Sequence, residues 1–412
     1  MTDRYSPRVV DAEVDRALRI AGGVLIEGAR ACGKTATGRH HAASWVQLDT
    51  DTDALDLAQV NPRLLLDGAT PRLIDEWQLA PTIWNHVRRA IDDRQDKGLF
   101  LLAGSAAPAD DVTRHSGAGR ILRLRLRPMT LFESGHSSGA VSLAALLESG
   151  STPGARSEMS LEHVVDRLCV GGWPGLQDLA PDEAQQLLES YLVDVSRADI
   201  LTGDPAEPRR DPVRVARTLA AYARHVSTPA SLATIARGTG GAGDPLKPET
   251  VSRYLSMLQR VMVVEELPSW GPHLRSRDVV RQAATRHFTD PSLAAAALHA
   301  GPDQLLRDLN TLGLLFESLV VRDLRVYAQA RRGTVSHYRD SAGAEADAVI
   351  TLPDGRWALV EIKLSVQAAD QAVASLDRLV GKLDLTRHSQ PPVRLVITAG
   401  EHAYTRPDGA VV

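Results

Sequence analysis

Residues 28–35 read GARACGKT and follow the apolar run Val24-Leu25-Ile26. Two glycines bracket four residues, and a lysine and a hydroxyl residue close the octapeptide, which gives the spacing GxxxxGK[ST]. Gly28 and Gly33 relieve crowding where a backbone curls around an anion. The intervening Ala29, Arg30, Ala31 and Cys32, with Ala36 beyond, present loop amides and the first turn of the helix that follows, a natural anion-binding surface. Lys34 is spaced to meet terminal phosphates, and Thr35 to offer its hydroxyl to magnesium. Such a loop calls for ATP and Mg2+ as cofactors, with ATP and ADP as the exchanged ligands.

Forty residues on, RLIDEWQ ends an apolar run in two acids. At the end of a sheet strand, Asp75 would organise magnesium or its water shell, and Glu76 would orient or activate the attacking water. Two adjacent acids after an apolar run also suit a helix N-terminus, a reading that the upstream phosphate loop makes the weaker one. The run Leu99–Ala103 leads to Gly104-Ser105, where Ser105 would either sense the terminal phosphate or cap a loop or helix.

A second constellation lies near the carboxy end, in YRDSAGAEADAVITLPDGRWALVEIKLS. Side chains two apart on a strand share a face, so Glu361 and Lys363 point the same way, with Asp347 a hairpin-length segment before them. Asp347 and Glu361 would hold magnesium, and Lys363 would position water or offset charge on a phosphodiester. Glu317, in the preceding amphipathic helix, is the fourth candidate. This Asp…Glu-x-Lys arrangement resembles the PD-(D/E)xK nuclease fold, although Ala346 stands where that pattern has proline. Cutting, binding through a nuclease-like fold, and plain solvated charge all remain open. His337 and Tyr338 fit packing better than phosphate contact.

The elements that must carry these residues follow from periodicity. Val24–Ile26, Trp45–Leu48, Arg72–Ile74, Leu99–Ala103 and Ile121–Leu126 read as strands, and a helix spans about Thr82 to Arg94, which favours an open α/β sheet. A Gly/Ser/Ala-rich stretch around Gly135–Ser160 reads as a junction or lid. Helices are expected at Glu183–Ile200 and Pro212–His225. Leu232–Arg237, Glu249–Arg260 and a strand over Val261–Val264 have the order of a winged helix, which either reads DNA or serves as a spacer. From Leu312 the pattern returns to α/β: a helix to Leu324, strands at Ala346–Thr351 and Trp357–Lys363, a helix over Gln367–Leu379 and a strand at Val393–Thr398. The expected domains are a P-loop NTPase sheet (1–135), a helical lid and linker (136–226), a winged-helix-like region (227–300) and an α/β nuclease-like domain (301–412).

The 412 residues are 43% apolar and 24% charged, with a formal net charge of -4. These values describe an ordinary globular chain rather than a disordered one. Two cysteines, Cys32 and Cys169, exclude a disulfide framework and imply a reducing, cytoplasmic setting. No apolar run of membrane-spanning length occurs, so no membrane association is expected. The adjacent His40-His41 pair suggests metal, but adjacent side chains diverge and the sequence places no matching acids or cysteines beside it. RILRLRLRP, 120–128, alternates like a strand with one basic face, suited to DNA, an acidic partner or solvent.

An ordered set of segments is similar to a bacterial and archaeal family of AAA-type ATP-binding proteins with a DUF4143 carboxy-terminal region. They are GARACGKT, RLIDEWQ, LLAGSA (101–106), GR (119–120), LRPMTLFE (126–133), GGWPG (171–175), YLVDVSRADI (191–200), TVSRYLSMLQRVMVVEELP (250–268), FTDPSL (288–293), GLLFESLVVRDL (313–324), EAD (345–347) and EIK (361–363). The resemblance implies phosphate-loop roles for Lys34 and Thr35, metal and hydrolytic roles for Asp75 and Glu76, and a sensor role for Ser105. Arg120 or Arg197 would bring positive charge to the terminal phosphate, within one chain or across an interface. Cys32 stands where the family often has a small aliphatic residue. The function implied is a magnesium-dependent ATP switch, an ATPase in the first instance, controlling a distal nuclease-like or nucleic-acid-binding domain. The alternative is a non-catalytic, nucleotide-regulated scaffold for DNA or protein, and the sequence leaves the oligomeric state open.

Overall fold

The computed structural model describes residues 5–104, 117–198, 211–241, 243–271, 283–340 and 342–412. The chain forms two compact units. The first comprises Met1–Met129 with Trp173–Gly175 and Arg260–Met262, and the second Thr130–Gly172, Leu176–Gln259 and Val263–Val412.

The first unit alternates strands and helices: α1 (Asp11–Ile20), β1 (Gly23–Glu27), α2 (Lys34–His41), β2 (Ser44–Gln47), α3 (Thr52–Val60), β3 (Arg72–Asp75), α4 (Ile83–Arg94), β4 (Phe100–Gly104) and β5 (Ile121–Arg125). The five strands lie in the order β2-β3-β4-β1-β5, all neighbours parallel. Strands covered on both faces need continuous apolar runs, which β1 and β4 supply, since Val24 to Ile26 and Phe100 to Ala103 are fully buried. Helix α4 packs Ile83, Trp84, Val87 and Ile91 into this core at helical spacing.

Helices dominate the first part of the second unit: α5 (Leu143–Ser149), then after the short β6 (Ala155–Arg156), α6 (Leu161–Val170), α7 (Pro181–Ala198), α8 (Pro212–Ala223), α9 (Leu232–Gly238), α10 (Pro248–Arg260), α11 (Pro291–Ala297) and α12 (Pro302–Arg307). Polar caps set several starts: Ser160, Asp211, Ser231 and Asp290 each accept an amide of the first turn. The strand expected over Val261–Val264 is instead represented by isolated antiparallel bridges, Val264 to Phe288 and Leu267 to Thr285.

The chain then runs α13 (Leu309–Ala330), β7 (Thr334–Arg339), β8 (Glu345–Thr351), β9 (Trp357–Lys363), α14 (Ala369–Lys382), β10 (Val393–Thr398) and β11 (His402–Ala403). The sheet order is β10-β9-β8-β7; β7, β8 and β9 are antiparallel, and β10 returns parallel to β9 after α14. Strand alternation divides the faces. Ala348, Ile350, Ala358 and Val360 share a core with Phe316, Leu319 and Leu324 of α13, whereas Val349, Leu359 and Val396 share one with Val373, Leu376 and Leu379 of α14.

Segments distant in sequence converge on one buried charge network in this unit. Arg322 Nη1 donates to Asp290 Oδ2 at 2.7 Å, and its Nη2 pairs with Asp323 Oδ1 at 2.7 Å. Asp290 also accepts the Gly172 amide, and Asp323 accepts the Leu131 amide. FTDPSL, GGWPG, LRPMTLFE and the end of GLLFESLVVRDL are therefore bound to one another through a single guanidinium. Removing one partner leaves buried charge uncompensated, so Arg322→Leu should destabilise the protein by about 3–5 kcal/mol. A urea midpoint within error of wild type would refute this role.

Candidate functional site: a phosphate loop at the end of a parallel sheet

In the first unit, GARACGKT connects β1 to α2 at the carboxyl end of the strands. Gly33 caps α2 with φ 106°, a conformation side chains rarely adopt, and Ala31 also has positive φ, 62°. Cys32 is buried within the loop, its Sγ 3.5 Å from the Leu126 carbonyl oxygen. Lys34 is buried, and its Nζ donates to the Ala29 carbonyl at 2.8 Å.

β4 intervenes between β1 and β3, and the register pairs Glu27 with Gly104 and Asp75 with Ala103. Both acids of RLIDEWQ therefore reach the rim that carries the phosphate loop. Asp75 is buried, and Glu76 takes left-handed backbone dihedrals (φ 52°, ψ 38°) where the strand breaks. Burial pushes the Glu76 carboxyl up, while a hydrogen bond from Gln78 Nε2 and the charge of Lys34 pull it down. A Cβ at Gly104 would collide with Gln78 Oε1, so the bare end of β4 lets Gln78 hold Glu76.

Arg8 joins the site from the amino-terminal segment. Its buried guanidinium donates to the Cys32 carbonyl (3.0 Å) and the Arg127 carbonyl (2.7 Å), tying the phosphate loop to the chain after β5. Sequence reasoning gave neither residue a role: Gln78 closes the RLIDEWQ segment two residues after Glu76, a local signal, whereas Arg8 lies in none of the singled-out segments and meets the loop only through the fold.

The second unit gathers the other four candidates. Lys363 Nζ lies 2.8 Å from Glu361 Oε1 and 3.4 Å from Asp347 Oδ2, and the Ile362 amide donates to Asp347 Oδ2 at 2.7 Å. Burial raises the Glu361 carboxyl to about 7, with the Asp347 charge adding to the rise and Lys363 opposing it. Burial followed by the Asp347 charge raises Glu317 from α13 well above the usual carboxylate range, and burial raises Asp347 despite Lys363. Glu361 Oε2 is buried and has no hydrogen-bond partner.

Family models match three stretches of the chain. Residues 22–134 match an AAA domain, residues 161–304 a domain of unknown function (DUF8612), and residues 312–412 a domain of unknown function (DUF4143). The chain joins an AAA-type ATP-binding domain to a DUF4143 domain. Among solved structures it is similar to the Walker-type ATPase paby2304 of Pyrococcus abyssi, with 12% identity over 72% of this chain and 96% of that one and a TM-score of 0.44. It is also similar to a DNA replication initiation factor, with 15% identity over 61% of this chain and 86% of that one and a TM-score of 0.24. At these values neither likeness speaks to activity. No curated protein matches the chain.

Within the AAA domain, the expectation that Arg120 reaches a terminal phosphate of its own chain is corrected. Its carbonyl accepts the Gly23 amide at the entry to β1, so it stands at the opposite end of the strands from the loop, roughly one five-residue strand (~16 Å) away. Its guanidinium pairs with Asp92 at 2.5 Å. The basic face expected on 120–128 is likewise engaged, with Arg123 paired to Glu27 at 2.7 Å and set over the Trp84 ring. Ser105 lies outside the described residues. Arg197 falls near the end of α7 in the second unit.

In the DUF4143 domain, His337 is buried, and Tyr338 meets Trp270 edge-on at 5.8 Å, both packing roles. Among the described residues no helix is long and apolar enough to cross a membrane.

The raised Glu361 group has a sign that can be tested. Its carboxyl titrates near 4.5 when unfolded and about 7 when folded, so stability is lost as pH rises between those values and the loss is complete above 7. In chelator-containing buffer, Glu361→Gln should make that slope shallower, leaving only the part due to Glu317 and Asp347, and add on the order of 3 kcal/mol near pH 8. Parallel wild-type and variant profiles from pH 4.5 to 8 would contradict it.

Proposed function

We propose that the chain is a magnesium-dependent ATPase whose nucleotide state governs a DUF4143 domain acting on a phosphodiester backbone. The observation that carries the first half is Lys34: a buried ammonium whose acceptor is a carbonyl of its own loop. An ammonium has three donors, and the loop around it is curled as a triphosphate requires. ATP and Mg2+ therefore fit the residues present. Thr35 and Asp75 would hold the metal, which supplies neutralisation of charge on the phosphates.

The remaining work falls to the chain. The loop amides and Lys34 bind the phosphates, with Lys34 exchanging the Ala29 carbonyl for a phosphate oxygen. Glu76 accepts a proton from water, and its raised affinity for protons suits that task near neutral pH. Gln78 holds the Glu76 carboxylate before ligand arrives. A nucleotide shifts the protein between states only through contacts that differ between them, and the exchange at Lys34 is such a contact.

The second half rests on Glu361 Oε2, a buried carboxylate oxygen without a partner beside Asp347, Lys363 and Glu317. A divalent cation held by Asp347 and Glu361 would satisfy it, and Lys363 would polarise the attacked phosphodiester. The order α13-β7-β8-β9-α14-β10 is the frame on which a PD-(D/E)xK reading depends. One observation favours a second reading, binding without cutting: Lys363 already bridges Asp347 and Glu361.

Lys34→Ala should lower ATP affinity and turnover together, whereas Glu76→Gln should keep binding and reduce turnover by about 100-fold or more. Turnover unchanged in Lys34→Ala rejects the site. Labelled single- and double-stranded DNA incubated with Mg2+ and ATP tests the distal domain. Cutting lost in Asp347→Ala and Lys363→Ala supports a nuclease, retained binding without cutting in wild type supports the second reading, and cutting unchanged in both variants rejects the metal assignment.

A further inference from the structure

The phosphate-loop helix carries a second group of ligating side chains at its far end, about 10 Å from Lys34 along the eight residues of α2. His40 and His41 are adjacent, and side chains one apart on a helix diverge by about 100°. The fold overcomes that divergence by bringing α1 against the pair. His41 Nε2 lies 3.1 Å from Asp11 Oδ1, and the ligand atoms of Asp11, His40 and His41 all fall within 4.8 Å of one another. The sequence expectation that no acid accompanies the two histidines is thereby corrected.

Three features around this triplet are those of a built metal site. The other ring nitrogen of His41, Nδ1, lies 2.9 Å from Asp15 Oδ1. A metal-ligating histidine almost always gives its second N–H to such a carboxylate, which fixes the tautomer that leaves Nε2 free to ligate. The His40 ring is held rather than loose: Tyr5 stacks on it at 4.1 Å and 14°, and it meets His41 edge-on at 4.9 Å. Asp11 is fixed too, with Oδ1 accepting from Tyr5 Oη at 2.6 Å and Oδ2 from the Arg8 amide at 2.7 Å. Each ligand thus has a support outside the triplet, with Tyr5 serving both His40 and Asp11.

We propose that Asp11, His40 and His41 form a three-ligand site for a borderline transition-metal dication of the Zn2+ class, with Asp15 orienting His41. Two imidazoles and one carboxylate select such an ion over magnesium, which prefers an all-oxygen shell. Ligand atoms about 2.0–2.1 Å from a tetrahedral ion stand roughly 3.4 Å apart, so small side-chain rotations close the observed spacing and leave a fourth position for water. The ion would clamp α1 to the phosphate-loop helix. Because Arg8 lies between Tyr5 and Asp11 and binds the Cys32 carbonyl, the same segment reaches the loop itself. The ATPase reading is not a premise of this inference.

The test uses the full chain, stripped with chelator and free of nucleotide and Mg2+, titrated with Zn2+ by calorimetry and with Co2+ by visible absorption. One equivalent that His40→Ala removes should bind, with the intense bands of four-coordinate Co2+ and a rise in thermal midpoint, apart from any ion taken up at Asp347 and Glu361. His40→Ala and Asp11→Asn should each weaken binding at least about 100-fold, and Asp15→Asn about 10- to 100-fold. His40 is exposed and its replacement leaves the core untouched, so a folded variant is assured by circular dichroism. No binding by wild type, or equal binding by wild type, His40→Ala and Asp11→Asn, would overturn the proposal. In that event His41 is simply an imidazolium shared by Asp11 and Asp15.

Discussion

Five parallel strands must end on the same side, and the nucleotide chemistry of this protein depends on that constraint. The phosphate loop leaves β1, Asp75 and Glu76 leave β3, and the bare Gly104 ends β4 between them. None of these segments has a hydrogen-bonding reason of its own to seek the others. The register Glu27 to Gly104 and Ala103 to Asp75 aligns them because each strand pairs where its apolar residues are covered on both faces. Ligands of open parallel sheets bind at this edge for the same reason. Lys34 is then buried beside carbonyls and carboxylates rather than in water, which gives a phosphate something to displace.

The second unit is organised by charge in a different way. Arg322 is enclosed by Asp290 and Asp323, and each acid also accepts a backbone amide from a distant segment, of Gly172 and of Leu131, while Asp290 caps α11 through Ser292 as well. Such a cluster contributes little net stability compared with apolar packing, but it is intolerant of losing a member. It explains why short segments far apart in sequence share a fate. The Glu361 cluster is the opposite case, with acids held close and one oxygen left unmatched. A structural network satisfies its members, and the unmatched Glu361 Oε2 is the atom that the proposed cation would meet.

Much of the fold was legible because it is written in local periodicity. β9 and β10 match their expected spans residue for residue, and the five strands of the first sheet fall where apolar runs meet turn residues. β7 was not anticipated: Thr334–Arg339 (TVSHYR) has a single aliphatic residue, and its buried face, Val335 and His337, exists only once the segment pairs with β8. Val261–Val264 failed in the other direction, since four β-prone residues follow α10 but only isolated bridges form. Strand propensity describes a fit to a half-buried pleat, and the neighbour that completes the pleat is not local.

By itself the sequence determined the spacing of the loop at 28–35, the place of the acids at 75 and 76 at a strand end, and the shared face of Glu361 and Lys363. Each depends on spacing along one strand or one turn, and spacing is a property of covalent geometry. Tertiary structure alone decided which end of the sheet Arg120 occupies, that Arg8 clasps the loop, and that Asp11 and Asp15 close around His41. Those outcomes join residues with no fixed offset, and burial of apolar strands and helices chose their distances before any polar group did.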